Sequence, residues 1–309
     1  MYTLTTKKRY LLLTCIFILL FLCMLKDKRI LITGGTGSLG TELVKMLQYH
    51  DPREIIVLSR DEHKQEVLQR KFPYVRCYLG DVRDLQRLEL AFHNIDVVVH
   101  AAALKIVTKG ETDPLEFIQT NIIGSANVLK AAIKMEVPKV IQVSTDKACD
   151  PVNLYGGTKF VADKMFSSAG SYNLYGTPAA VVVRYGNVMG SNGSVIPLFM
   201  KQRDTITITD PAMTRFMISL EDAAKFIVYA INHGRQGDIL VPDLPAMTVK
   251  DIADVVAPNA LRKTIGIRPG EKMHEQLTGT NESYNSKTAR RMPKEELKKW
   301  LEQYKREHA

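Results

Sequence analysis

Arg29-Ile30-Leu31-Ile32-Thr33-Gly34-Gly35-Thr36-Gly37-Ser38-Leu39-Gly40 passes from a β-branched strand through a glycine-rich turn into an amphipathic helix. Gly34, Gly37 and Gly40 are spaced three apart, and Gly35, Gly37 and Gly40 fit G-x-G-x-x-G. Such a turn needs unrestricted φ, close approach of its backbone to a pyrophosphate, and tight packing of helix on strand. The free N–H groups of Thr36, Ser38 and Leu39 at the helix start then face the phosphates at the positive end of the helix dipole.

Outward from this segment the chain alternates short apolar runs with amphipathic stretches. Strands are predicted at 29–33, 54–58, 75–79, 96–100, 139–143 and 179–184. Helices are predicted at 39–48, 62–71, 85–92, 114–135 and 155–175. Continuous apolar strands between helices imply an α/β protein, a Rossmann-type doubly wound parallel sheet buried on both faces. After Arg184 the rhythm breaks into Gly-, Asn- and Pro-rich loops, a strand at 206–209 and helices at 221–233 and 249–256. The division expected is a leader over 1–28, a dinucleotide-binding domain over 29–185, a smaller substrate lobe over 186–286 and a basic terminal helix over 287–309. Leu297, Trp300, Leu301 and Tyr304 recur at helical spacing in that last segment, which reads as core packing.

The 309 residues carry a net charge of +9, but residues 1–29 and 287–309 hold the whole excess. The body is electroneutral, which argues against nucleic-acid binding. Cys15, Cys23, Cys77 and Cys149 show no metal-ligand spacing, so no metal site is expected and the thiols read as reduced. Residues 10–25 form an apolar run flanked by Lys7, Lys8, Arg9, Lys26, Lys28 and Arg29. As a helix the run would span about 24 Å against a hydrocarbon core of ~30 Å. A single membrane anchor, a dispensable leader before a natural start near Met24, and a signal peptide stay open. The catalytic part is expected in the cytoplasm or facing it.

Cofactor choice is read at the tip of the second strand, Ser59-Arg60-Asp61, with Lys64 one turn on. An acidic residue first would favour NAD; Ser59 and Arg60 come first, and a guanidinium forks onto a 2′-phosphate. NADP is expected, NAD less so, although a merely solvated Arg60 would admit either. Asp81 and Val82 would border the adenine. Ala101, Ala102 and Ala103 would line the nicotinamide side.

Tyr155-Gly156-Gly157-Thr158-Lys159 puts a phenol and an ammonium one helical turn apart. A phenol of pKa about 10 needs ~4 kcal/mol of help to act as a base near neutrality, and a neighbouring cation supplies it. Upstream, Ser144-Thr145-Asp146-Lys147 ends the fifth strand, where ligands sit in open α/β sheets. Together with Arg184-Tyr185-Gly186-Asn187-Val188, these motifs resemble the extended short-chain dehydrogenases acting on nucleotide sugars. Over about residues 25–286 the chain is most similar to the soluble, C5-inverting UDP-N-acetylglucosamine 4,6-dehydratases.

The resemblance implies a recycled cofactor held in part by Tyr155, Lys159 and Val188. Tyr155 takes the 4-hydroxyl proton as hydride leaves C4. Lys147 is the base at C5, Asp146 (beside Thr145) protonates the departing 6-hydroxyl, and hydride returns to C6. It implies substrate contacts from Lys105, Asn187, Arg215, Arg268 and Glu271, uridine-diphosphate contacts from residues 190–194, and a homo-oligomer. The chain departs from the family pattern at Ile106, Pro269, Thr108-Lys109-Gly110 and a short 200–205 stretch, which bear on sugar specificity and oligomer contacts. A UDP-sugar 4-epimerase would need Tyr155 and Lys159 but not the Asp146–Lys147 couple. A non-catalytic dinucleotide-binding module would be expected to lose Tyr155 or Lys159, and both are present.

Overall fold

The computed structural model describes residues 25–172, 178–191, 193–202, 204–279 and 284–307. Its strands are β1 (Arg29–Thr33), β2 (Glu54–Ser59), β3 (Val75–Leu79), β4 (Val97–His100), β5 (Lys139–Val143), β6 (Ala179–Val183), β7 (Asn187–Val188), β8 (Thr205–Ile208), β9 (Thr214–Ile218), β10 (Ile239–Leu240), β11 (Ala246–Thr248) and β12 (Leu261–Thr264). The main helices are α1 (Ser38–Leu47), α2 (Glu62–Lys71), α3 (Leu85–Ala91), α4 (Val107–Thr112), α5 (residues 114–134), α6 (Leu154–Ser167), α7 (Val195–Lys201), α8 (Leu220–His233), α9 (Val249–Val256) and α10 (Lys294–Glu307).

Side chains alternate along each central strand, and both faces are dry. Ile30, Ile32, Val57, Val99 and Ile141 point to one face, against Leu43 and Leu47 of α1 and Ile227 of α8. Leu31, Ile56, Val98, Val140 and Val182 point to the other, against Leu88 of α3, Val128 of α5 and Phe166 of α6. Each such side chain contributes about 1.5–3 kcal/mol on burial, so two-sided burial, more than strand propensity, holds these segments flat. The seven strands run in the order β3-β2-β1-β4-β5-β6-β10, all parallel. This is the doubly wound sheet expected from the sequence. The chain leaves β1 toward β2 but enters β4 on β1's other side, so a crevice opens at the carboxyl ends of β1 and β4. There the buried His100 bridges Thr33 Oγ1 (2.7 Å) and Ser125 Oγ (3.0 Å), and burial drops its pKa to about 3, so the ring is a neutral strut.

Several boundaries differ from the sequence reading. The helix expected over 114–135 carries a wide-turned stretch at Ile118–Ile123, and α4 precedes it, taking in Thr108-Lys109-Gly110. The helix expected over 155–175 stops at Ser167, followed by a tight turn at Ala169–Tyr172. The border at 185/186 is not clean: α8 packs on the sheet face beside α1, and β10 extends the sheet from β6. The remaining C-terminal elements form their own core of Phe199, Ile206, Met213, Met217, Ile252, Leu297 and Leu301. Leu297 and Leu301 of α10 thus pack inward, and Trp300 stacks on Tyr304 at 5.0 Å.

The apolar run at 10–25, with Cys15 and Cys23, lies outside the described residues. Among the described residues no helix is long and apolar enough to cross a membrane, and no cluster of His, Cys, Asp and Glu could hold a metal. Cys77 and Cys149 are free thiols.

Candidate active site

The turn after β1 is built for glycine. Gly34 sits at φ +68°, its N–H donates to Leu58 O (2.8 Å), and a Cβ there would lie 2.7 Å from Ala102 Cα. A Cβ on Gly40 would lie 2.3 Å from Gly35 Cα, so α1 can close on the turn only without one. Gly37 caps α1, and its N–H donates to Gly34 O (3.0 Å). Beside the turn opens a cavity of about 550 Å³. Gly34, Thr36, Ser59, Arg60, Asp61, Lys64, Asp81, Val82 and Ala102 line it, joined by Leu58, Gly80, Ala103, Leu104 and Thr120. Gly37 caps α1, Ser38, Leu39 and Gly40 open it and Ala101 follows β4, all beside the cavity without lining it; Tyr155, Lys159 and Val188 are not part of its lining either. A glycine cradle at a helix start, opening on a cavity with cations at its far end, fits a dinucleotide.

Charges at the tip of β2 are unequal. Asp61 caps α2 by accepting from Lys64 N (3.0 Å) and pairs with Lys64 Nζ (3.1 Å), which together hold its carboxyl below the usual range. Arg60 is half exposed and pairs loosely with Asp81 at 3.5 Å. Ser59 is buried, its hydroxyl accepting from Gln65 Nε2 (3.0 Å). The guanidinium is therefore the more available group, and the carboxylate of Asp61 is committed to its helix.

Two polar residues that the sequence reading missed brace the elements around the site. Asn121, buried in the wide-turned stretch of α5, accepts from Leu104 N (2.8 Å) and donates to Leu104 O (2.9 Å) and Thr158 Oγ1 (3.0 Å). It pins the loop after β4 to α6. Asp163 of α6 pairs with Arg184 at 2.8 Å, both buried, and Arg184 also donates to Leu277 O (3.0 Å). Arg184 stood in one of the motifs, but Asp163 is far from it in sequence, and nothing there announced their pairing.

At the carboxyl end of β5 the segment Thr145–Lys147 folds into a tight turn, Thr145 Oγ1 accepting from Lys147 N (3.3 Å). Asp146 is fully buried. Its Oδ1 accepts from Thr145 Oγ1 and from Lys147 Nζ, each at 3.0 Å, and its Oδ2 has no hydrogen-bond partner among the described residues. Burial raises its pKa, with Lys147 opposing. Lys147 Nζ also reaches Asn187 Oδ1 (3.3 Å) and Glu275 Oε1 (3.4 Å). Burial works against the lysine's charge, but Asp146 and Glu275 outweigh it and hold the amine well above the ordinary lysine range. Lys147 is thus an ammonium flanked by two carboxylates.

Tyr155 and Lys159 share a face of α6, as their spacing requires. Burial pushes the Tyr155 phenol up to about 12, opposed by Lys147 and by a hydrogen bond with Thr145. Lys159 donates to Val143 O (2.6 Å), and burial pulls its pKa down to about 8. Lys147 is one charge that favours the phenolate.

The expected substrate residues divide. Arg215, on β9, donates to Thr214 O (2.8 Å) and Met273 O (3.3 Å), and its charge bears on Lys147 and Glu275. Asn187 sits with Lys147, so it joins the acid–base group. Arg268 and Glu271 pair with each other at 3.9 Å. Lys105 is exposed on the loop after β4. Gly190 O accepts from Tyr304 of α10 at 3.5 Å, tethering the start of the 190–194 loop. Lys272 Nζ donates to Cys149 O and Asn153 Nδ2 to Gly270 O, both at 2.7 Å, drawing the 270–275 loop over the end of β5.

Residues 30–296 match the family described as polysaccharide biosynthesis protein. A UDP-N-acetylglucosamine 4,6-dehydratase (inverting) of Campylobacter jejuni is 46% identical over 268 residues, covering 84% of this chain and 80% of its own. A UDP-glucose 4-epimerase of Rickettsia massiliae is 44% identical over 273 residues, with the same coverage of 84% and 80%. The X-ray structure of Pen from Bacillus thuringiensis superposes with a TM-score of 0.86 at 34% identity, over 91% of this chain and 98% of that one. The glycine cradle, the parallel sheet and the group at the end of β5 thus sit in a chain that belongs to the polysaccharide biosynthesis protein family.

Proposed function

We propose that the protein is a UDP-N-acetylglucosamine 4,6-dehydratase that uses NADP. The observation that carries this reading is the buried Asp146–Lys147 couple beside Tyr155, with 3.0 Å between Nζ and Oδ1. Interconverting a 4-hydroxyl and a 4-ketone needs only a phenol and a hydride carrier. Removing water across C5 and C6 needs a base and an acid as well. When bound, the dinucleotide supplies the hydride acceptor, and its positive ring lowers the cost of ionising Tyr155. Tyr155 takes the 4-hydroxyl proton, and the 4-ketone so formed acidifies the C5 proton.

Passing one proton from Lys147 Nζ to Asp146 Oδ1 turns ammonium and carboxylate into amine and carboxylic acid. These are the species elimination requires. The C5–H bond then breaks with its proton going to Nζ, and its electron pair forms C5=C6. The C6–O6 bond breaks, and O6 leaves as water with the proton of Asp146. The ammonium–carboxylate pair is restored, which accounts for why a caged lysine can serve as the base.

NADP is favoured because Arg60 and Lys64 stand at the tip of β2 while Asp61 is occupied as a helix cap. Arg215, Arg268 and Glu271 are assigned to the uridine diphosphate, with Arg268 and Glu271 exchanging their mutual pair for the ligand; Lys105 is assigned to the sugar side. Leu115, Ile123, Phe160 and Val161, exposed on α5 and α6, suit burial in a homo-oligomer. The reaction belongs where NADP and UDP-sugars are found, in the cytoplasm. Relatives named as epimerases make 4-epimerisation the second reading. Incubation with UDP-N-acetylglucosamine in heavy water, followed by NMR, separates the two. A 4-keto-6-deoxy product carrying deuterium at C5 is expected, and UDP-N-acetylgalactosamine as sole product would overturn the assignment.

A further inference from the structure

Glu275 belongs to no motif of the sequence, yet it is 2% exposed and lies at the centre of the charged group. Its backbone is fixed on both sides: its N–H donates to Ser286 Oγ, and Ser286 N–H donates to Glu275 O, each at 2.9 Å. Its Oε1 stands 3.4 Å from Lys147 Nζ and its Oε2 3.8 Å from Lys272 Nζ. A carboxylate this buried is costly unless opposed by charge. The charged and titratable groups around it are Asp146 and Lys147 from the end of β5, Arg215 from β9, and Lys272 and His274 from its own loop. His274 is engaged with Thr214 Oγ1 at 2.8 Å.

We propose that Glu275 is a positioning residue for the elimination step, holding the Lys147 amine against Asp146 and supplying the negative charge that keeps a proton within that couple. The inference rests on the dehydratase reading and adds to it a member from the second lobe. Three cations, Lys147, Arg215 and Lys272, surround the site. Against them Asp146 alone would be stripped of the proton it must deliver to O6. With Glu275 present, two carboxylates face the three cations, and the proton shared by Asp146 and Lys147 is held more tightly. Because Glu275 meets Lys147 directly and Tyr155 only through it, C4 oxidation depends on Glu275 far less than elimination does.

The test compares wild type, Glu275→Gln and Glu275→Asp as holoenzymes with UDP-N-acetylglucosamine. For Glu275→Gln, kcat falls about 10- to 100-fold, a share of what acid–base catalysis contributes, with KM unchanged. Loss of a nearby negative charge lowers the proton affinity of Asp146 and Lys147 together, so the high-pH limb of the kcat profile moves to lower pH. Reduced cofactor, followed by its absorbance in a stopped-flow trace, accumulates because oxidation at C4 continues. Glu275→Asp recovers part of kcat. A Glu275→Gln profile identical to wild type, a rise in KM with kcat unchanged, or equal loss of C4 oxidation would each overturn the proposal. Should Glu275→Gln not fold, Lys272→Met decides: removing that cation must move the same limb to higher pH, and an unmoved limb overturns the proposal. A wild-type enzyme that forms no 4-keto-6-deoxy sugar would instead refute the dehydratase reading itself.

Discussion

Replacing Lys147 with Ala tests the site through both stability and chemistry. The side chain is 20% exposed and faces two carboxylates, at 3.0 Å (Asp146) and 3.4 Å (Glu275), that are 0% and 2% exposed as residues. Removing one partner of a buried ionic group costs about 3–5 kcal/mol, because the remaining charge is left without compensation. The cost depends on pH with a definite sign. Without the ammonium, burial lifts the Asp146 carboxyl further above its unfolded value of about 4, and removes a main cause holding Glu275 low. A group raised in the folded state stabilises below the unfolded pKa and loses that contribution as pH rises through the folded pKa. The gap between wild type and Lys147→Ala should therefore be small near pH ~4 and widen to about 3–5 kcal/mol near pH ~8. Denaturant midpoints of both proteins across this range measure it. A gap of the same size at every pH would refute the caged-ammonium account. In the same variant, dehydration should fall at least ~100-fold while reduced cofactor still forms from substrate. Loss of both together would refute the division of labour between Tyr155 and Lys147.

Tyr155→Phe should abolish formation of reduced cofactor as well as product, with UDP-sugar affinity measured by calorimetry unchanged within about twofold. Arg60→Ala should weaken NADP binding about 10- to 100-fold, the scale of one charge-assisted contact, and leave NAD binding unaltered; equal effects on both would remove Arg60 from the 2′-phosphate. Gly34→Ala should cost about 1–2 kcal/mol from the left-handed backbone alone, and more from its collision with Ala102. Thermal unfolding and dinucleotide titration should both register that change, and a variant neutral in both would contradict the described turn.

Much of the site was legible in the sequence because its determinants are local. A strand–turn–helix with glycines at fixed offsets can fold in essentially one way, and the described Gly34 and Gly40 have no room for a side chain. The pairing of Tyr155 with Lys159 follows from helical periodicity, and Asp146 beside Lys147 from adjacency. Where the reading failed, the cause was distance along the chain. Nothing near residue 147 announces Glu275, and the contact of Lys159 with Val143 O is invisible in one helix. The return of α8 and β10 to the sheet across the expected 185/186 border was illegible for the same reason: β10 is only two residues long, and its membership in the sheet exists only through pairing with β6.

The sequence by itself determined the strand and helix pattern, the phosphate-binding turn and the chemical types available at the end of β5, because each depends on residues a few positions apart. The tertiary structure alone decided which carboxylates meet Lys147 and where Glu275 stands. Charge state in a buried site is set by what surrounds it in space, and those neighbours come from four separate stretches of the chain.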